Sequence, residues 1–340
     1  MGKHDIALIT NMTTPYRAPF FEALAANKQV KRLRVYTCVA REHDRKWDVK
    51  AAQGYSVINL WGFTLNLSAG KDATRILHIR LGIFWQLLRH RPSTVVIGDA
   101  SWTSFISVLV CMLYGLKYVV WNEITTSSGI GSGLVHSLRL WMYRHAKHVV
   151  ASCTLAKNYL LNNNVPEHKI SIVNNAVDNG FFLSQKKAKQ HLRNEFRAAL
   201  GIEADAYCYI FVGQLISRKK VLEAVEYVVQ QSKSKHCHLL VVGTGPLENE
   251  MKSKAAHLNF DAITFCGYAN QNRLSELYIA SDCLVLLSED EPWGMVVNEA
   301  LLFNLELFLS ESVGARDLQA GGLKLIPTPE SMALLFVATL

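Results

Sequence analysis

The sequence predicts an α/β protein built from two Rossmann-like domains, each with a parallel sheet covered by helices on both faces. Short apolar segments of strand length alternate with longer segments of helix length through most of the 340 residues. Half of the residues are hydrophobic and a fifth are charged, which suits a large buried core. A basic polar stretch over residues 182–206 interrupts the alternation, which then restarts. We therefore expect one domain over residues 1–185 and a second over residues 186–340.

The predicted elements follow one another in a regular order. In the first domain the predicted strands are DIALIT, RLRVYTC, STVVIGD, KYVVWNE and HVVAS, and the predicted helices begin at Ala18, Ser101 and Leu134 and cover LAKNYLL. In the second domain the predicted strands are YCYIFVG, HLLVVG, AITFCG, DCLVLLS and LELFLS. Because open parallel sheets bind ligands beyond the carboxyl ends of their strands, the functional loops of both domains should line one cleft.

The charge is distributed unevenly along the chain. Residues 1–185 hold 21 Lys and Arg against 10 Asp and Glu, whereas the remainder holds 15 against 18. The first half is therefore expected to face an anionic partner, either an acceptor that carries phosphate or an anionic membrane surface. Nucleic acid is disfavoured, because the sequence has no helix-turn-helix, zinc-finger or aromatic ribonucleoprotein motif. The segment Asp72–Arg91 is predicted to be a helix, either an interfacial membrane helix or a core helix with a solvated basic face.

Cysteine usage and the amino terminus indicate a cytoplasmic protein, with a peripheral position at the inner face of the membrane as the alternative. The seven cysteines form no C-x-x-C pair and most lie in predicted strands, as expected for buried thiols in a reducing compartment. No secretory signal pattern opens the sequence. The longest uncharged run, Ala100–Leu116, is short for a membrane-spanning segment and is predicted to be a helix buried behind a sheet.

The most informative segment is DCLVLLSEDEPWGMVVNEA, residues 282–300. It predicts a buried strand over Asp282–Ser288, then an acidic loop, then a helix over Gly294–Phe303. The unpaired backbone N–H groups and the dipole of a helix N-terminus suit a phosphate. Glu291 and Glu299 lie on either side of this point, and carboxylates accept hydrogen bonds from sugar hydroxyls. The segment therefore predicts a site for a sugar and a diphosphate together.

The same segment, EPWGMVVNEAL, resembles the E-x7-E signature of retaining glycosyltransferases of family 4, which have the GT-B fold. The resemblance implies that Glu291 contacts the donor sugar, that the backbone of Gly294, Met295, Val296 and Val297 binds the diphosphate, and that Glu299 binds the ribose diol. It implies a UDP-sugar or GDP-sugar donor, no cofactor, and transfer with retention to a lipid-linked or saccharide acceptor in polysaccharide, lipopolysaccharide or glycolipid synthesis.

A second segment, FVGQLISRKKV at residues 211–221, resembles the G-R-L-x-x-x-K-G loop of the same family. Gly213 and Lys219 fall on the motif, whereas Gln214 replaces its Arg and Lys220 replaces its closing Gly. The resemblance implies that Lys219 stabilises the charge that develops on the leaving diphosphate, with Arg218 as a second cation.

The GTGP turn after the next strand is not a dinucleotide fingerprint, because Glu248 stands where the third Gly would be. This disfavours an NAD-dependent oxidoreductase. By resemblance, Gly243, Gly245 and Gly267 are backbone scaffolding near the nucleotide base. No D-x-D pair or His/Cys cluster predicts a metal, so transfer is expected to be metal-independent.

The acceptor side is predicted from two strand ends of the first domain. Asn11, Tyr16 and Arg17 precede the first helix in a TPYR segment that resembles the family, and Arg17 would meet an acceptor phosphate. Glu123 follows the strand KYVVWNE and would contact the acceptor hydroxyl. The alternatives are a Pro-containing loop that caps a helix, for Arg17, and a solvated strand-end carboxylate, for Glu123.

The end of the sequence departs from the family pattern. Asn304 and Glu306 occupy a turn that is usually rich in small residues, and MALLFVATL resembles a helix cut short where family members continue into a helix that returns to the first domain. Two alternatives to a transferase follow: a catalytically silent nucleotide-binding protein that acts as an assembly partner, and a GT-B nucleotide-sugar epimerase.

Overall fold

A computed structural model describes residues 3–39, 52–68, 74–98, 101–129, 133–319 and 326–340. The chain divides into two compact units. Unit 1 contains Met1–Val177 together with Pro327–Leu340, and unit 2 contains Asp178–Ile326.

The strands are named in chain order. They are β1 His4–Thr10, β2 Val30–Thr37, β3 Ser56–Asn59, β4 Phe63–Ser68, β5 Thr74–Ile79, β6 Thr94–Ile97, β7 Lys117–Asn122, β8 His148–Ala151, β9 Ile170–Ile172, β10 Tyr207–Val212, β11 Cys237–Val242, β12 Ile263–Gly267, β13 Cys283–Leu286 and β14 Glu306–Leu309. The helices are α1 Ala18–Ala26, α2 Gly82–His90, α3 Trp102–Leu113, α4 Leu134–His145, α5 Thr154–Asn162, α6 Asn179–Lys189, α7 Arg193–Ala199, α8 Val221–Gln231, α9 Glu248–His257, α10 Gln271–Ala280, α11 Met295–Leu302 and α12 Pro329–Val337.

Both units contain the parallel sheet that the sequence predicts. In unit 1 the seven-stranded sheet has the order β3-β2-β1-β6-β7-β8-β9, and in unit 2 the five-stranded sheet has the order β12-β11-β10-β13-β14. All pairings within these two sheets are parallel. Each of the ten predicted strands overlaps one observed strand, whereas β3, β4, β5 and β9 were not predicted as strands. The predicted two-domain α/β class is confirmed.

An ion-pair network fixes the start of β13 in unit 2. The carboxylate of Asp282 accepts from Arg193 at 2.6 Å, from Arg197 at 3.4 Å and from the backbone N–H of Cys208 at 2.8 Å. The Arg197 side chain is almost completely buried. A buried cation is tolerated when it is paired and hydrogen-bonded, and here the network ties α7 to β10 and β13 at the amino ends of these strands.

One secondary-structure prediction is wrong. Asp72–Arg91 does not form one helix, because residues 74–79 pair antiparallel with β4 in a separate two-stranded sheet and α2 begins only at Gly82. Between them Arg80 is buried, and its guanidinium donates to the carbonyl of Cys38 at 2.5 Å and to Thr64 Oγ1 at 2.8 Å. Asp72 itself lies outside the described residues. Pairing with β4 is a tertiary contact that the local pattern did not reveal.

The helix predicted over Ala100–Leu116 forms as α3, but the expectation that it is buried holds for only one of its sides. Phe105, Val108 and Cys111 are buried, whereas Leu109 and Leu113 are exposed. Within the described ranges, no helix is both long and apolar enough to cross a membrane.

The carboxyl-terminal residues differ from the predicted domain assignment. They were expected in the second domain, with the returning helix missing, but residues 327–340 belong to unit 1 and contain α12. Its apolar face inserts into the core, where the ring of Phe336 lies 5.5 Å from those of Phe20 and Trp121. The expected boundary at residue 185 also differs from the structure, in which the first segment of unit 1 ends at Val177 and the side chain of Asp178 caps α6.

Replacing Phe336 with Ala should destabilise unit 1 by about 3–5 kcal/mol, because the change leaves a cavity between two aromatic rings in a fully buried site. Urea unfolding followed by circular dichroism measures this. Leu335→Ala on the same helix is the matched control, since Leu335 is half exposed and its loss should change stability by less than about 0.5 kcal/mol. Equal effects of the two substitutions would contradict the docking of α12.

Candidate functional site

The centre of the candidate site in unit 2 is an ion pair between Lys219 Nζ and Glu291 Oε2. Lys219 follows β10 and Glu291 follows β13, and these strands are neighbours in the sheet. Because parallel neighbours end at the same edge, two residues 72 positions apart in sequence meet there. Both side chains are 13% exposed, so the pair is largely shielded from bulk water. Ser288 Oγ also donates to Glu291 Oε2, at 3.2 Å.

Further contacts connect the two loops on either side of this ion pair. The backbone N–H of Glu289 donates to the carbonyl of Arg218 at 2.9 Å, and the Arg218 guanidinium donates to the carbonyl of Asp290. Arg218 therefore braces the acidic loop in this structure. Three cations of one loop face three carboxylates of the other, so the formal charges of residues 218–220 and 289–291 cancel.

Lys220 explains one departure from the family motif. Its backbone has φ +52°, in the left-handed region, which is where the motif places Gly. A non-Gly residue pays a conformational cost of about 1 kcal/mol in this region. Its ammonium group lies 2.5 Å from Glu289 and 3.2 Å from Glu223, so two carboxylates hold the side chain that follows this turn. The turn therefore keeps its shape without the Gly.

The predicted glycines allow two loops to pack backbone against backbone. A Cβ on Gly243 would overlap the carbonyl oxygen of Gly213, and a Cβ on Gly245 would overlap that of Leu215. The loops are joined by a hydrogen bond from the Leu215 N–H to the Thr244 carbonyl at 3.1 Å. Gly243 also donates its N–H to the carbonyl of Gly267 at 2.8 Å. This geometry gives the three strand ends β10, β11 and β12 one continuous backbone edge.

The helix that follows Glu291 begins at Met295, one residue after the predicted start. Gly294 has φ +94°, and a Cβ there would lie 3.2 Å from Glu291 Cγ, so a side chain would press on the ion pair. No side chain caps the helix. Of the predicted phosphate donors, the N–H of Val297 bonds to the carbonyl of Gly294 at 2.9 Å, whereas those of Met295 and Val296 have no acceptor in the described parts of the chain.

Glu299 lies just over one turn into α11 and is completely buried. Its Oε2 accepts from the hydroxyl of Tyr278 at 2.8 Å, whereas Oε1 has no partner among the described residues. Burial raises the pKa of its carboxyl to about 8, against the smaller opposing effect of the Tyr278 hydrogen bond. The sequence pattern identified Glu299 as a hydrogen-bonding group but gave no sign of this burial.

Several residues that support the site were not predicted. The N–H of Gly314 donates to the carbonyl of Glu291 at 3.0 Å, and that of Ala315 donates to the carbonyl of Trp293 at 2.9 Å. The indole of Trp293 is buried and donates to Asn298 Oδ1 at 2.8 Å. These bonds hold the loop between β13 and α11 in place. The PWG and VGARDL segments were the only signals of them in the sequence.

Two of the predicted acceptor residues of unit 1, Arg17 and Glu123, form an ion pair. Arg17 Nη2 lies 2.7 Å from Glu123 Oε2, and its guanidinium lies 4.7 Å above the ring of Trp121. Asn175 Nδ2 donates to Glu123 Oε1 at 2.9 Å, a contact that the sequence did not predict. Both charged side chains are partly buried. The Arg17–Glu123 pair thus joins the carboxyl ends of β1 and β7.

The other two acceptor candidates, Asn11 and Tyr16, lie on the loop between β1 and α1 and are half-buried. The carbonyl of Asn11 accepts from the N–H groups of Cys38 and Val39 at 2.9 and 3.1 Å, which attaches this loop to the end of β2.

Among the described residues, Glu203, Asp205 and His236 are the one group placed closely enough to share a metal ion. All three are exposed, and they precede β10 and β11, at the opposite edge of the sheet from Lys219 and Glu291. Glu289 and Glu291 pair with different lysines and do not converge on one point. Metal-independent chemistry stays a prediction.

Known proteins are similar to this chain in sequence and in fold. An uncharacterized glycosyltransferase, MJ1607 of Methanocaldococcus jannaschii, is 22% identical over 233 residues, which cover 66% of this chain and 59% of that protein. The crystal structure of Anabaena HepE in complex with UDP and glucose has a TM-score of 0.66 and 14% identity, over 98% of this chain and 89% of that one.

A second solved structure, that of WaaG, a glycosyltransferase involved in lipopolysaccharide biosynthesis, has a TM-score of 0.63 and 16% identity, over 98% of this chain and 90% of that one. These likenesses show the GT-B fold. The family described as glycosyl transferases group 1 matches residues 193–331, which include the Lys219–Glu291 pair and α11.

Proposed function

We propose that the protein is a glycosyltransferase that moves a sugar from a nucleotide diphosphate sugar to an acceptor hydroxyl. The observation that carries this proposal is the shielded Lys219–Glu291 pair beside the uncapped start of α11, inside the part of the chain that matches glycosyl transferases group 1. A cation, free helix N–H groups and a carboxylate are the groups that a sugar diphosphate requires. HepE, which has this fold, is described with UDP and with UDP-glucose, which supports a UDP-sugar over a GDP-sugar as the first donor to test.

Donor binding would rearrange the ion pair. A diphosphate next to the N–H groups of Met295 and Val296 would compete with Glu291 for the Lys219 ammonium, because both offer charged oxygen acceptors. Glu291 would then be released to accept hydrogen bonds from the donor sugar. During bond cleavage the charge on the leaving diphosphate grows, and Lys219 stabilises it more strongly in the transition state than in the ground state. Arg218 would contribute only after releasing the carbonyl of Asp290.

We assign the nucleoside to the edge formed by Gly213, Gly243 and Gly267, where the ends of β10, β11 and β12 are joined backbone to backbone. The unpartnered Oε1 of Glu299 would meet the ribose diol. A neutral carboxyl at this position can donate as well as accept a hydrogen bond. It can therefore bind a ribose hydroxyl that acts as an acceptor or as a donor. Retention of configuration follows the resemblance to family 4 and requires no enzyme nucleophile.

The acceptor is assigned to the Arg17–Glu123 pair of unit 1. Glu123 is already oriented by Arg17 and Asn175, and a carboxylate held in this way can accept the proton of a hydroxyl. Arg17 would meet a phosphate of a lipid-linked acceptor. The fold shared with WaaG supports a role in the synthesis of surface polysaccharide or lipopolysaccharide. Cytoplasmic location and independence of metal are further parts of the proposal.

The donor site is tested by thermal unfolding of the full chain with UDP, GDP, their sugar conjugates and NAD. A nucleoside diphosphate at 100 times its dissociation constant should stabilise the protein by about 2.7 kcal/mol and raise its melting temperature. NAD should not. The absence of a shift with every nucleoside diphosphate would remove the donor site and, with it, the transferase assignment.

Lys219→Ala and Glu291→Gln should separate the two roles of the ion pair. Lys219→Ala should abolish most of the stabilisation by the nucleoside diphosphate, whereas Glu291→Gln should keep it, because the competing carboxylate is gone. Both variants should lower transfer by about 100-fold or more in a radiolabelled-donor assay. Lys252→Ala, on an exposed surface of α9, is the control.

Wild-type transfer rates in both site variants would overturn the assignment. Conversion of the donor without an acceptor would instead indicate the epimerase alternative.

The pKa of Glu299 should make stability depend on pH. The carboxyl holds its proton in the folded state up to about pH 8 but loses it near pH 4.5 when unfolded. The folded state therefore binds more protons between these values, and the wild type should lose stability as the pH rises from 5 to 8.5. Glu299→Gln should lack this loss. The difference in free energy of unfolding between the wild type and the variant should therefore change by on the order of a few kcal/mol between the two pH values. Urea unfolding at both pH values measures it.

Glu250→Gln is the control for this experiment, since Glu250 lies exposed on α9. It should follow the wild type at both pH values. Parallel pH dependence of Glu299→Gln and the wild type would show that Glu299 is not held neutral by burial.

A further inference from the structure

Helices α2 and α3 of unit 1 lie side by side and run in the same direction. Near their amino ends, the N–H of Arg80 donates to Thr103 Oγ1 at 3.1 Å. Near their carboxyl ends, Leu88 and Arg91 line one small cavity together with Tyr114. Contacts at both ends require the two helices to be neighbours along their length.

The outward sides of these helices are apolar. We call the six exposed side chains the apolar face: Leu81, Phe84, Trp85, Leu109, Met112 and Leu113. Trp85 is 64% exposed and Leu113 is 76% exposed. In α3 the exposed positions follow a helical spacing, yet the helix contains no charged residue. A surface helix normally turns polar residues to water, so this face calls for an apolar partner.

The apolar face continues onto Trp61 and Phe63, at the start of β4. The carbonyl of Trp61 accepts from the N–H of Gly82 at 3.0 Å, which places Trp61 beside the start of α2. The indole of Trp61 is 68% exposed and its ring lies 5.7 Å from that of Phe63. Tryptophan at the border of an apolar surface is typical of side chains that insert at the level of lipid headgroups.

Cations are present at the edge of this face and acidic residues are scarce. Arg89 and Arg91 lie at the carboxyl end of α2, Lys117 follows α3, and all three are exposed. None of them forms an ion pair in the described part of the chain. Between residues 49 and 166 the sequence has 11 Lys and Arg against three Asp and Glu. An apolar face with unpaired cations at its edge complements a surface that is apolar inside and anionic outside.

We propose that the apolar face docks unit 1 onto an anionic lipid bilayer. At 12 residues, α3 is about 18 Å long, well short of the roughly 30 Å hydrocarbon core, so it would lie in the interface and not span it. Trp85 and Leu113 would enter the acyl region, and Arg89, Arg91 and Lys117 would meet lipid phosphates. The docking is argued from the surface of unit 1 alone. That it would bring the enzyme to a lipid-linked acceptor rests on the proposed function.

The test is co-sedimentation of the full-length protein with vesicles of phosphatidylcholine alone or with one third phosphatidylglycerol. We expect binding to the anionic vesicles, about tenfold weaker binding to the zwitterionic ones, and release at 0.5 M salt, where charges on the surface are screened. The double variant Trp85→Ser/Leu113→Ser should bind at least about tenfold more weakly than the wild type. Arg89→Gln/Arg91→Gln should lose the preference for anionic lipid. Leu258→Ser, an exposed leucine that follows α9 in unit 2, is the matched control and should bind as the wild type does.

Because the substituted side chains are exposed, all variants should keep the melting temperature of the wild type and its shift with nucleoside diphosphate. Wild-type protein that stays in the supernatant, or undiminished binding of Trp85→Ser/Leu113→Ser, would overturn the proposal. So would a wild-type dimer that this variant converts to a monomer without any vesicle binding, since the face would then be an interface between copies. Vesicle binding without a nucleotide shift would keep the docking and remove the transferase assignment.

Discussion

The candidate site depends on the adjacency of β10 and β13 in a parallel sheet. This pairing places Lys219 and Glu291 at one edge, although 72 residues separate them, and brings the start of α11 beside them. The glycines of the neighbouring loops serve the same edge, because side chains at Gly243 or Gly245 would force the loops after β10 and β11 apart. A donor site made mostly of backbone and one ion pair requires this close packing before any chemistry is possible.

The cations of residues 218–220 and the carboxylates of residues 289–291 neutralise one another within the protein. A cation without a partner would have to be desolvated when the loops fold together, and pairing with Glu291 offsets that cost. The pair is therefore a stable arrangement of the free protein, and in the proposed function the donor diphosphate would have to compete with it. Glu299 follows a different principle, because burial raises the pKa of its carboxyl and Oε1 has no partner among the described residues. The charge of Glu291 is thus neutralised by Lys219, whereas Glu299 is neutral because it keeps its proton.

The most extensive feature of unit 1 is its packed aromatic core, which no short sequence motif marks. The last helix completes a core around Phe20, Trp121 and Phe336, and Trp121 in turn lies under the guanidinium of Arg17. The aromatic core and the candidate acceptor pair are therefore in contact. The sequence predicted an anionic partner from the basic charge of this half. Part of that charge lies on exposed cations beside α2 and α3.

The sequence by itself determined the fold class, ten of the fourteen described strands and the segments that meet at the candidate site, because strand and helix periods and short motifs are local properties. It did not determine that residues 74–79 pair with β4, that α12 returns to unit 1, or that α3 exposes an apolar side. It also could not show that Glu299 is buried or that Lys220 replaces a Gly in a left-handed turn. These features depend on contacts between segments distant in the chain, and the burial and protonation of a side chain are decided only when those segments have packed.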